Sequence, residues 1–296
     1  MKCLVTGGAG FIGSNLVDRL VNDGHDVLVI DNESATAHEH FYYNPKVKYY
    51  KYDINDYVNT RPLYNGVDYV FHLAAESRIQ PTLENPVLAV ETNTRGTAQV
   101  LQCSKEAGVK RVMYSSTSSA YGLANLPPLV ETMVEDCLNP YSVSKVAGEN
   151  LCQMYTDLFG LETVCFRYFN VYGPREPVKG QYAPVIGLFL RQLRAGEPLT
   201  IVGDGEQRRD FTHVNDIVEA NVLSMTKATP GELYNVGTGL NHSVLELANM
   251  ISGNVTFIPA RPGEAKESLA DNNKLKSLGW TSTVKLEDYI KEQLNG

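Results

Sequence analysis

The chain has 296 residues, 43% of them hydrophobic and 20% charged, which is enough for one large or two smaller globular domains with a substantial core. Its net charge of -8 excludes a basic face for nucleic acid or an anionic membrane, so a polyanionic ligand must be met by local arginines. Five scattered cysteines without Cys-x-x-Cys spacing imply reduced thiols; with no leader-like segment before Lys2 and no apolar run near the ~20 residues of a membrane span, a cytoplasmic protein is expected.

Lys2 to Thr6 is a short apolar run, followed at once by Gly7-Gly8-Ala9-Gly10-Phe11-Ile12-Gly13 and an amphipathic stretch to Asn22. Strand, glycine turn and helix in this order form a dinucleotide fingerprint, because the glycines let backbone amides approach a pyrophosphate at the helix N-terminus. A second strand, Asp26 to Ile30, ends at Asp31-Asn32, where a carboxylate can accept both ribose hydroxyls of an adenosine. Asp31 would repel a 2'-phosphate and has no basic neighbour, so the expected cofactor is NAD rather than NADP.

Val47 to Lys51 reads as a third strand, leading to Asp53-Ile54, and Val67 to Phe71 as a fourth, leading to His72-Leu73-Ala74-Ala75. Strands alternating with helical patterns imply a doubly wound parallel α/β sheet with the cofactor across its carboxyl ends. His72 reads as a strand-end histidine bonded to backbone, and no ligand-spaced cluster accompanies it, so no metal is expected. Pro86 to Gly108 reads as one long helix carrying Asn93. Val109 to Tyr114 is a fifth strand, running into a hydroxyl cluster, Ser115 to Ser119, that suits a substrate hydroxyl or a plain polar loop equally.

The stretch Asn139-Pro140-Tyr141-Ser142-Val143-Ser144-Lys145 follows, with Tyr141 24 residues after Thr117. Asn139 suits a helix cap and Pro140 a first turn. Four residues apart, Tyr141 and Lys145 share one helix face, and a close ammonium can lower a phenol from about 10 by roughly one to three units, toward a usable general base. Beyond Gly173 the pattern reads as a smaller lobe, with a helix from Ala183 to Gly196 and a strand and turn over Leu199 to Gly205. Arg208-Arg209-Asp210 and helices over Val214 to Thr226, Ser243 to Ile251 and Lys285 to Leu294 follow, with Trp280 as packing.

Together these residues resemble the extended short-chain dehydrogenase/reductase family, in its nucleotide-sugar epimerase and dehydratase branch. The likeness rests on Thr6 to Gly13, Asp31-Asn32, Asp53, His72 to Ala75, Asn93, Ser115-Ser116-Thr117, Tyr141 with Lys145, and Arg167-Tyr168-Phe169-Asn170-Val171-Tyr172-Gly173-Pro174. It implies a Rossmann domain over 1–168 with return segments near 211–238, and a nucleotide-sugar lobe over most of 169–296. Thr117, Tyr141 and Lys145 take the family's catalytic roles. The same resemblance gives NAD to Gly7, Gly10, Phe11, Ile12, Gly13, Asp31, Asn32, Asp53, Ile54, Leu73, Ala74, Ala75, Asn93, Tyr141, Lys145 and Tyr168. It gives the nucleotide sugar to Thr117, Asn170, Thr200, Val202, Arg209, Arg261, Glu264 and Ser268.

Within the branch, 4,6-dehydratases carry an acid just after the threonine, where this chain has Ser118 and Ser119, so 4-epimerisation of a UDP-hexose is the expected reaction. Ser268, seven residues beyond Arg261, falls where members restricted to plain hexoses carry tyrosine, and leaves room for an N-acetyl group. The alternatives are a UDP-glucuronate 4-epimerase, a dehydratase or reductase of the same family, and a non-catalytic NAD sensor. A homodimer is expected through the long helices at Pro86 and Pro140.

Overall fold

The computed structural model describes residues 1–177, 183–259 and 265–295. Six strands of the central sheet follow one another along the chain: β1 (Lys2–Thr6), β2 (Asp26–Ile30), β3 (Lys48–Tyr50), β4 (Tyr69–His72), β5 (Arg111–Thr117) and β6 (Glu162–Tyr168). A seventh, Glu232–Val236, returns late to pair with β6, giving the parallel order Glu232–Val236, β6, β5, β4, β1, β2, β3. Strand order reverses between β1 and β4, and the crevice of a doubly wound sheet opens at the carboxyl ends there.

Neighbouring residues along each strand feed opposite cores, as the two-residue period of a strand requires. Val5, Val29, Phe71, Met113 and Phe166 pack on one face under the helices Phe11–Asn22 and Val214–Lys227. Leu4, Leu28, Val70, Val112 and Cys165 pack on the other, against the helices Gly96–Ala107 and Pro140–Phe159. Trp280 belongs to the first core, its indole N–H donating to Asp216 O at 2.9 Å.

A smaller core gathers Ile186, Phe189, Leu199, Ile201, Leu247 and Ile251 beyond the sheet. It holds the helices Val185–Arg194 and Val244–Ile251 and the parallel strand pair Leu199–Val202 and Val255–Ile258.

One expected element differs. Pro86 to Gly108 is helical throughout, but as Pro86–Val90, a π turn at Glu91–Arg95 and then Gly96–Ala107. The wide turn contains Asn93, whose side chain bonds both a loop and a neighbouring helix, so tertiary contacts and not local periodicity set the turn.

Candidate active site

The glycine turn is built so that only glycine fits. Gly7 has φ +73°, and a Cβ there would lie 2.7 Å from Ala74 N; a Cβ on Gly13 would lie 2.1 Å from Gly7 O. Gly10 caps the following helix without a side-chain bond, which leaves first-turn amides free to point at an anion. At the end of β2, Asp31 accepts from Ala9 N at 2.9 Å and Glu33 N at 2.8 Å, and burial pushes its carboxyl upward.

A cavity of about 390 Å³ runs from this turn to the first turns of the helix Pro140–Phe159. Gly7, Gly10, Phe11, Ile12, Gly13, Asp31, Asn32, Ile54, Leu73, Ala74, Ala75, Thr117, Tyr141, Lys145 and Tyr168 all line it. Two expected contacts fall elsewhere. Asp53 is not in the wall; its carboxylate accepts from Asn32 Nδ2 at 3.0 Å and Asn55 N at 2.8 Å. Asn93 is fully buried behind the wall, with Oδ1 taking Glu76 N and Nδ2 donating to Glu76 O and Ser144 Oγ. Its amide is committed to joining the loop after β4 to the Tyr141 helix.

His72 also departs from expectation, since it bonds hydroxyls rather than backbone: Thr6 Oγ1 at 2.7 Å and Thr97 Oγ1 at 2.9 Å. Thr97 gives its own proton to Asn93 O, so it must accept from Nε2–H, which makes Nδ1 the acceptor from Thr6. Thr6 Oγ1 is then free to accept Ala74 N, and the chain of bonds fixes the cavity wall. Burial pushes His72 down to about 3, so it stays neutral.

The helix Pro140–Phe159 presents Tyr141 and Lys145. Asn139 Oδ1 accepts Ser142 N at 2.9 Å, closing a capping box with Pro140 in the first turn. The electrostatics differ from the simple pair. Burial pushes the Tyr141 phenol up, with the Thr117 hydroxyl near enough to pull it partly back. Lys145 is itself pushed down to about 8 by burial, and its ammonium sits 4.3 Å above the Tyr114 ring. Dehydration of a shared wall therefore outweighs the attraction expected one helical turn apart.

Behind Thr117 lies a network with no assigned role in the sequence reading. Arg167, fully buried, donates from Nε to Glu149 Oε1 at 3.0 Å and from Nη2 to Glu149 Oε2 at 2.7 Å, and its guanidinium covers the Tyr121 ring. Ser116 donates to the same carboxylate. The ion pair thus clamps β5, β6 and the catalytic helix together. Its sequence signal was available: Glu149 is one turn beyond Lys145 on the same helix face.

A second cavity of about 510 Å³ meets the first at Ser118, Ser119, Asn170, Val171 and Pro184. Asn170, Thr200, Val202, Arg209 and Ser268 line it. Asn170 has φ +29° and donates from Nδ2 to Asp210 O at 3.0 Å and Ser268 Oγ at 3.2 Å. Arg261 and Glu264 lie outside the described residues. Among the described residues, no group of three or more His, Cys, Asp and Glu could hold a metal.

A dinucleotide cradle at the turn of a parallel sheet, walled by a half-buried tyrosine and a buried lysine and adjoining a second cavity, defines an NAD-dependent α/β enzyme. The fit is physical, since the glycine approach, the uncapped amides and the Asp31 carboxylate each match a part of NAD. The chain belongs to the NAD-dependent epimerase/dehydratase family, whose model matches residues 3–237.

A UDP-glucose 4-epimerase from Mycolicibacterium smegmatis is 37% identical, over 98% of this chain and 96% of its own. The crystal structure of a UDP-glucose 4-epimerase from Thermotoga maritima with UDP-glucose superposes with a TM-score of 0.94 at 35% identity, covering 100% of this chain and 98% of that one. A UDP-N-acetylglucosamine 4-epimerase from Methanobrevibacter ruminantium gives 0.93 at 33%, covering 99% and 97%. A UDP-glucuronate 4-epimerase from Thermodesulfobacterium geofontis, 32% identical over 99% of this chain and 94% of its own, matches as well.

Proposed function

We propose that the protein interconverts a UDP-hexose and its 4-epimer, with UDP-glucose/UDP-galactose and UDP-N-acetylglucosamine/UDP-N-acetylgalactosamine as candidate pairs. The observation that carries this reading is that Tyr141 and Thr117 line the smaller cavity next to Ser118 and Ser119, which line both cavities, with no loop acid next to Thr117.

Bound in the smaller cavity, NAD supplies a reversible hydride acceptor for a sugar carbon. The chain does the rest. Tyr141 takes the proton of the 4-hydroxyl and returns it, Thr117 holds the hydroxyl in line, and Lys145 orients the cofactor ribose. Arg209, in the wall of the larger cavity, would meet the diphosphate, a natural fork for phosphate oxygens on an acidic protein. An elimination needs a further acid to expel the leaving hydroxyl, and serines 118 and 119 cannot supply it. The roomy cavity beside Ser268 lets the sugar turn over while the nucleotide stays gripped.

Five free cysteines, and among the described residues no helix long and apolar enough to cross a membrane, fit work in the cytoplasm. We also propose a homodimer through the exposed faces of the helices at Pro86 and Pro140. Incubation with UDP-glucose and UDP-N-acetylglucosamine, followed by proton NMR of the anomeric signals, tests the reaction. Appearance of the 4-epimer without loss of water or net NADH supports it; dehydrated or reduced product overturns it.

A further inference from the structure

The segment joining β2 to β3 forms one wall of the smaller cavity and is fastened at both ends. At its start the side chains of Asp31 and Asn32 accept Glu33 N and Ser34 N at 2.8 and 3.1 Å. At its end Tyr42 N donates to Ala9 O at 3.0 Å, and Arg175 donates to Asp18 at 2.5 Å while its guanidinium lies 5.2 Å from the centre of the Tyr42 ring. Between these anchors His38 N closes a turn onto Ala35 O at 3.2 Å, and Ser34, Ala35, His38 and Phe41 line the cavity.

That turn brings His38 to the glycine loop: a Cβ on Gly10 would lie 3.7 Å from its Nε2. Gly10 precedes the uncapped first-turn amides that receive a pyrophosphate, so phosphate oxygens bound there and the imidazole share one corner of the cavity. The ring is half-buried, with Phe41 beside it at 5.9 Å between centroids, and among the described residues no hydrogen bond reaches either nitrogen. The charged groups facing it are Asp31 at the end of β2 and Arg78 in the loop after β4; the glycine loop carries none, and Glu39 and His40 on its own segment are exposed. Burial first and then Arg78 push His38 below the ordinary histidine value, against a smaller pull from Asp31, so the cofactor-free ring is mostly neutral at pH 7.

We propose that His38 is a further cofactor-binding residue, which donates from Nε2 to an oxygen of the NAD pyrophosphate and takes up a proton as NAD binds. A negative phosphate beside the ring favours the imidazolium, and an opposite charge at that distance raises a histidine by roughly one to three units. The NAD-bound state therefore holds the proton more tightly than the free state, and NAD affinity rises as pH falls from 8 to 6. Charge-assisted bonds of this kind are about twice as strong as neutral ones, which suits a cofactor restored at each turnover.

The test is calorimetric titration of NAD into cofactor-free wild type, His38→Phe and His38→Gln at pH 6 and pH 8. His38→Phe keeps a ring against Phe41 but has no donor, and should bind NAD about tenfold more weakly than wild type at pH 6 and by a smaller factor at pH 8. His38→Gln keeps a neutral donor, so it should hold NAD better than His38→Phe at pH 8 and lack the wild-type gain at pH 6. Lys145, at about 8 in the same cavity, titrates in all three proteins and drops out of the comparison. His38→Phe that matches wild type at pH 6, or that keeps the wild-type ratio between the two pH values, overturns the inference and leaves NAD binding and 4-epimerisation standing. Wild type that binds no NAD at either pH defeats the cofactor reading itself. Wild type alone also decides: at about pH 6.5, titrations in two buffers of different ionisation enthalpy should show net proton uptake, and none overturns the inference even if a variant does not fold.

Discussion

At the scale of single residues, the site joins two groups whose burial works against their charged forms. Tyr141 is pushed above an ordinary phenol and Lys145 down to about 8, so the pair gains its working charge states from what binds rather than from each other. Tyr141→Phe removes the proton carrier while keeping the ring, and kcat should fall by about 10²–10⁴-fold with NAD retained. Turnover by NMR and cofactor content by absorbance check this; activity within threefold of wild type would assign the base elsewhere. Lys145 yields a sharper prediction. The residue is 2% exposed and its ammonium pays for dehydration, falling from 10.5 to about 8, which corresponds to roughly 3 kcal/mol. The folded-state value is the lower one, so the penalty is full below pH 8 and fades as pH rises toward 10.5, where the unfolded lysine also loses its proton. Lys145→Met should therefore abolish turnover yet stabilise the cofactor-free protein by that amount at pH 7, with the gain vanishing near pH 10.5. Urea unfolding of both proteins at the two pH values measures it, and a destabilised variant at pH 7 would contradict the dehydration account.

At the scale of elements, one helix carries the site, and its distance from the sheet is set by a single small residue. A Cβ on Gly148 would lie 2.1 Å from Tyr114 Oη, and that tyrosine is fully buried and donates to Lys145 O at 3.1 Å. Gly148→Ala must lift the helix off β5 or displace Tyr114, and overpacking of this kind costs about 1–3 kcal/mol. It also moves Tyr141 away from Thr117, so kcat should fall at least tenfold, while a second change, Tyr114→Phe, should recover part of both losses. Thermal unfolding and turnover of the single and double variants read this out; strictly additive effects would mean that the contact does not position the helix. Much of this helix could be read from sequence, because caps, first-turn proline and four-residue spacing are local signals. The glycine turn and the alternation of strands with helices were legible for the same reason. What escaped was tertiary: the π turn at Glu91–Arg95, the inward commitment of Asn93, the hydroxyl partners of His72 and the Arg167–Glu149 clamp. Each depends on a partner in another element, 17 or more residues away, and even where helix spacing marks one partner, as for Glu149, periodicity does not name the other. Dehydration inverted the expected Tyr141–Lys145 electrostatics for the same reason, since burial is a property of the assembled wall.

At the scale of the whole molecule, two neighbouring helical segments leave apolar stripes uncovered. Val87 and Val90 are 66% and 48% exposed, and Leu83, four residues before Val87, is 50% exposed. On the helix Pro140–Phe159, Val143 and Leu158 are 51% and 70% exposed, with Ala147 and Met154 partly exposed between them at helical spacing. Isolated exposed apolar residues are ordinary, but aligned stripes on adjacent helices form a patch that water disfavours. The stripes adjoin near the site, because Asn93 and Thr94 both bond Ser144, one turn from Tyr141. Pairing two copies across this patch would bury both stripes and stiffen the helix that presents the catalytic tyrosine. Paired glutamates, Val87→Glu with Val143→Glu, place like charges on both sides of such a two-fold contact. Light scattering should give a dimer for wild type and a monomer for the variant, with a lower melting temperature. A monomeric wild type at micromolar concentration, or a variant that stays dimeric, would place any association on another face.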